Sequence, residues 1–144
     1  MESKLVRSIF WALIGIFVVV VCLFAIPAAG RLLTGLLFLI TAGAVLFLLG
    51  GALIFLTVKQ KVSGMLKKFL LLTGASAVGI PVFAVLHNVV YMLGMMWFGR
   101  SAWGNGDEPV FFIMALVVCP LGFLVGAVGS IVLATKEHRL QSSS

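Results

Sequence analysis

The chain has 144 residues, 62% of them hydrophobic and only 10% charged, with a formal net charge of +6. Its mean hydropathy is +1.27. A water-soluble domain carries roughly 25% charged residues, so no soluble surface can be assembled from this composition. A soluble enzyme and a nucleic-acid-binding module are both excluded, and an integral membrane protein forming one compact unit is expected.

In chain order, Lys4 and Arg7 precede an uncharged run predicted to span a bilayer over residues 8–26. About 20 apolar residues are needed for that crossing. The run exceeds the 7–15 residues of a signal-peptide core, so a retained helix is expected. Pro27 and Gly30 break the chain and Arg31 marks the turn. The second predicted span, 32–58, ends at Lys59 and Lys61, and a basic linker follows over 59–68. A third span covers 69–98 and a polar loop 99–109. Pro109 stands where prolines open helices, behind Asp107 and Glu108, which suit a helix N-terminus by capping and by charge. The fourth span, 110–135, ends at Lys136. Strands are not expected, because barrel segments alternate apolar and polar residues and these runs are apolar on every face.

Orientation follows from the basic residues. The N-terminal segment has Lys4 and Arg7, the linker Lys59, Lys61, Lys67 and Lys68, and the tail Lys136 and Arg139. Only Arg31 and Arg100 fall in the two intervening loops. The predicted fold is therefore an all-α membrane protein, four transmembrane helices in an antiparallel bundle of two hairpins. Both termini are expected to be cytoplasmic and the location the cell membrane. The basic excess fits contact with anionic lipid heads, with no nucleic acid as partner. Trp97 and Trp103 suit an outer aromatic belt and Trp11 an inner one. Arg100 is expected to pair with Asp107 or Glu108, a surface contact worth little.

Small residues at helical spacing mark candidate packing faces, since lipid supplies no hydrophobic force between helices. The fourth span carries Ala115, Cys119, Gly122, Gly126 and Gly129; the first carries Ser8, Ala12, Gly15 and Cys22; the second Gly43 and Gly50. Packing within the bundle is the commoner use of such stripes. Self-association through Gly122-x-x-x-Gly126 is the other, and further membrane subunits are possible partners.

The third span holds His87, the only ionisable side chain inside the apolar runs. Thr73, Ser76, His87, Tyr91 and Gly94 share one helical stripe, with Asn88 on the adjoining face. Polar groups are costly in a bilayer, so this stripe is expected to face the other helices. Pro81 and Pro120 are expected to kink their helices, opening a cavity lined by Ser76, His87, Asn88 and Tyr91. The depth of His87 stays open, because a run from 69 to 98 is longer than the roughly 30 Å hydrocarbon.

Specific chemistries find little support. The only second histidine, His138, lies in the tail, which argues against bis-histidine haem. A copper site of His87 with Met92, Met95 or Met96 is disfavoured because these residues stand on different faces of one helix from His87. Cys22 and Cys119 lack the spacing of a redox pair. No span contains a carboxylate, which weighs against proton-coupled export, and no hydrolase or metalloprotease motif occurs. No catalytic residue, metal or cofactor is assigned. The expected role is a non-enzymatic accessory, assembly or structural membrane subunit. The alternative is a small-molecule or proton-linked transporter or binding protein built around His87.

Overall fold

A computed structural model describes residues 4–25, 36–99 and 108–142. It is all-helical, with no strand among the described residues. Helix α1 covers Lys4–Ala25, α2 Leu36–Lys59 and α3 Gly64–Phe98. The last rod is composite: α4 (Pro109–Ile113), a π-helical turn (Met114–Val118) and α5 (Cys119–Ser142). Four stretches are long and apolar enough to cross a membrane: Lys4–Leu23, Leu37–Lys59, Gly64–Phe98 and Pro109–Lys136.

Helix ends depart from the apolar runs in a physically simple way. Hydropathy marks where polar residues begin, whereas a helix continues through any residue that tolerates it, and lysine tolerates it well. Of the linker expected over 59–68, only residues 60–63 are non-helical; Lys59 closes α2, while Lys67 and Lys68 lie in the opening turns of α3. The N–H groups of Gln60 and Lys61 donate to the carbonyls of Leu56 and Val58. Lys61 and Gly64 then take positive φ angles of 52° and 70°. At the far end Gly99, with φ of 71°, stops α3 and donates its N–H to Met95. Residues 26–35 and 100–107 lie outside the described residues, and with them the expected break at Pro27 and Gly30, and Arg31, Arg100, Trp103 and Asp107.

Alpha-helices suit an apolar chain because each backbone polar group is satisfied inside its own segment. The threonines follow the same rule. Thr41, Thr57, Thr73 and Thr135 each donate a hydroxyl hydrogen bond, 2.7–2.9 Å long, to the carbonyl four residues back.

Two kinds of packing hold the rods. Helix α3 lies at the centre and meets both neighbours through small residues. Gly50 and Gly74 sit back to back, where a Cβ on Gly50 would come within 2.8 Å of the Gly74 carbonyl. Higher up, Gly43 lies against Pro81. On the other side, Gly129 accommodates the Phe69 ring, Gly126 accommodates Thr73, and Gly122 faces the Ser76 hydroxyl. Helix α1 docks differently, through the bulky stripe Val6, Phe10, Leu13 and Phe17, all buried. The Phe17 ring stacks on Phe123 of α5 with centroids 4.1 Å apart. The stripe expected to pack in α1, Ser8, Ala12, Gly15 and Cys22, is instead exposed. Large side chains reach across a gap that small ones cannot fill, so the bulky face takes the inside.

Neither proline ends its helix. Helix α3 runs continuously through Pro81. Ahead of Pro120 the rod widens into the π turn, where the Cys119 N–H reaches back five residues to Met114. A proline lacks the N–H for the ordinary ladder and crowds the turn before it, and one wide turn absorbs that crowding.

Candidate functional site

The arrangement with most chemical content lies where α3 passes the start of the fourth rod. Glu108 is the N-cap of α4, directly before Pro109. Its Oε1 accepts the Val110 N–H at 2.8 Å and its Oε2 the Phe111 N–H at 2.9 Å. The carboxylate thus satisfies donors that a helix start leaves open, and its charge opposes the positive end of the helix dipole. The cap is nearly sealed, with Glu108 3% exposed.

His87 completes the site from α3. Its Nδ1 lies 3.0 Å from the Glu108 backbone oxygen and 3.3 Å from Glu108 Oε2. A carbonyl can only accept, so this contact places a proton on Nδ1. The imidazole is 14% exposed. The Phe112 ring stands beside it, centroids 5.4 Å apart, and one turn below Phe83 stacks on Phe111 at 6.1 Å. Two aromatic contacts and a charge-assisted hydrogen bond therefore bind these two helices at one level. The hydrogen bond alone is worth roughly 1.5–3 kcal/mol where water is excluded.

The four residues expected to line a cavity are not brought to one place. Ser76 is buried against Gly122. It stands 11 residues from His87, about 16 Å along the helix axis. Asn88 is exposed and donates to its own helix at the Ala84 carbonyl, 2.8 Å away. Tyr91 is half-buried one turn beyond His87. Between the two prolines the space is filled: a Cβ on Gly79 would lie 2.7 Å from Cys119 Sγ. An imidazole oriented by a carboxylate resembles the base of a hydrolytic triad, yet Ser76, about 16 Å away along α3, lies at Gly122 and the Cys119 thiol at Gly79. Among the described residues no three His, Cys, Asp or Glu side chains converge as a metal site.

The five residues of the candidate packing face lie inside the chain's own seam. Ala115 and Cys119 are buried, and Gly122, Gly126 and Gly129 press on Ser76, Thr73 and Phe69. That face is therefore occupied without a second copy.

The capping role expected of Glu108 before Pro109 is what the structure has, but its pairing with His87 was not expected, the carboxylate having been matched with Arg100 instead. The signal was present: a cap lies at the helix end, level with the neighbouring helix, rather than out in the loop. The pairing also fixes a level. Helix α3 continues from His87 to Phe98, about 16 Å beyond the start of the fourth rod. No protein-family model, curated protein or solved structure matches the chain.

Proposed function

We propose that the chain is a small multi-pass membrane protein of the cell membrane, acting as a non-enzymatic accessory, assembly or structural subunit. The observation carrying this reading is the use made of the only basic side chain in the apolar runs: His87 ties α3 to the cap of the next rod. Contacts between α3 and the fourth rod pair rising numbers with falling ones (Phe69 with Gly129, Ser76 with Gly122, His87 with Glu108), which supports an antiparallel hairpin. The eight-to-two division of basic residues supports cytoplasmic termini. Much of each rod stays uncovered, including Trp11, Phe47, Phe55 and Leu124, as suits a chain meeting lipid and other membrane subunits.

The second reading, proton-linked transport, draws support from the same pair, since Glu108 supplies a carboxylate beside the histidine. His87→Ala and Glu108→Gln in the full chain separate the two. The subunit reading expects each to lower stability by about 1–3 kcal/mol, measured by thermal unfolding in detergent. It also expects weaker co-purification with whatever the native protein retains after mild extraction, and no change in proton flux across reconstituted vesicles. A pH-dependent flux in the native protein, abolished by His87→Ala, would overturn it.

A further inference from the structure

The turn between α2 and α3 holds a second feature that the clasp does not use. Val58, Lys61, Val62, Ser63, Gly64, Met65, Lys67, Lys68 and Leu71 line an open concavity of about 720 Å³. Its lining contains three lysines and no carboxylate. Among the described residues the side chains of Lys61, Lys67 and Lys68 make no ion pair or hydrogen bond. Like charges gather only at a cost in repulsion, and the N-terminal turn of α3 beside them adds to the positive potential. Nor does Ser63 quench it, since its side chain makes no cap bond to the helix. The left-handed Lys61 is what turns the chain so that one lysine from the turn faces two from the helix.

The rest of the wall is mostly apolar and runs toward the uncharged part of the helices: Val58 and Met65 are about half exposed, and Leu71 stands one turn beyond Lys67 and Lys68 on their face of α3. We infer that this concavity is a binding site for the phosphate head of an anionic glycerophospholipid, with the lysines on the phosphate and Val58, Met65 and Leu71 along the upper acyl chains. A free phosphate would use the cations and leave the apolar wall without purpose; a lipid uses both. The inference rests on the chain spanning a bilayer. Basic pockets at the cytoplasmic ends of membrane helices are suited to such heads, each lysine near an anionic surface contributing about fivefold in affinity.

The test compares the full-length native chain with two charge-matched variants, Lys61→Gln/Lys67→Gln/Lys68→Gln and Lys4→Gln/Arg7→Gln/Lys136→Gln. Each is reconstituted in vesicles of equal phosphatidylcholine and phosphatidylglycerol, and the lipid retained on release is counted by native mass spectrometry. The native chain and the second variant are expected to retain phosphatidylglycerol selectively, and the first variant to lose that preference by about a hundredfold. Equal loss in both variants would mean diffuse surface charge and overturn the site. Displacement by inorganic phosphate as effectively as by short-chain phosphatidylglycerol would mean a phosphate site and overturn the lipid. An alkaline wash of the same vesicles keeps the premise separate: if it strips the native chain away, the bilayer reading itself fails, whatever the variants do.

Discussion

At the scale of single residues, glycines with the same chemistry have opposite importance. A Cβ on Gly126 would stand 2.7 Å from the Thr73 backbone nitrogen and 2.9 Å from the Phe69 carbonyl oxygen, and backbone cannot swing aside. Gly15 has nothing within 4 Å of such an atom. Gly126→Ala is therefore expected to cost about 1–3 kcal/mol by overpacking. Gly15→Ala should stay within about 0.5 kcal/mol of the native protein. Thermal unfolding of the two variants in one detergent checks the contrast; equal effects would mean that the seam is not where the structure has it. Spacing made the Gly122–Gly129 stripe legible, because only close backbone approach gives small residues at steps of three and four a use. Spacing could not show that the equivalent stripe of α1 faces outward. Val6, Phe10, Leu13 and Phe17 form an equally regular row, and which row turns inward depends on the width of the gap opposite.

Among the elements, the fourth rod departs most from a uniform cylinder. A sequence containing Pro120 announces some disturbance, and a kink was expected there. The form taken, a five-residue π turn, depends on what lies on either side: the glycine seam below must face α3, and so must the Glu108 cap above. One extra residue in the turn reconciles their angular positions. Pro120→Ala removes the cause of the wide turn, and ordinary winding of the same residues would rotate Pro109–Ile113 by about 100° about the axis, carrying Glu108 away from His87 while leaving the seam in place. This substitution and His87→Ala are then expected to be non-additive, since each removes the same interaction. Unfolding measured on the two single changes and their combination checks this. Full additivity would separate the turn from the clasp. The number of rods was legible because uncharged runs of this length have few alternatives; the pairing of His87 was not, because it joins residues that hydropathy assigns to different environments.

For the molecule as a whole, the distribution of lysine and arginine implies a direction that side-chain contacts cannot supply. Ser63→Cys and Ser101→Cys, each introduced where Cys22 and Cys119 have been replaced by alanine, should react with an impermeant maleimide from opposite faces of sealed vesicles. Reaction of both from one face would remove the four-span arrangement.

The overhang of α3 has a consequence for where such a protein can reside. From His87 outward no neighbouring rod among the described residues keeps pace with it, and Met92, Met96, Trp97 and Phe98 are all strongly exposed. In a thin bilayer those three turns would stand among head groups and water, an unfavourable setting for thioether and aromatic surface. In a thicker one they would be immersed, at a gain of fractions of a kcal/mol per ångström. A ruler of this kind, carried by one helix alone, would let the chain partition between membranes by their depth.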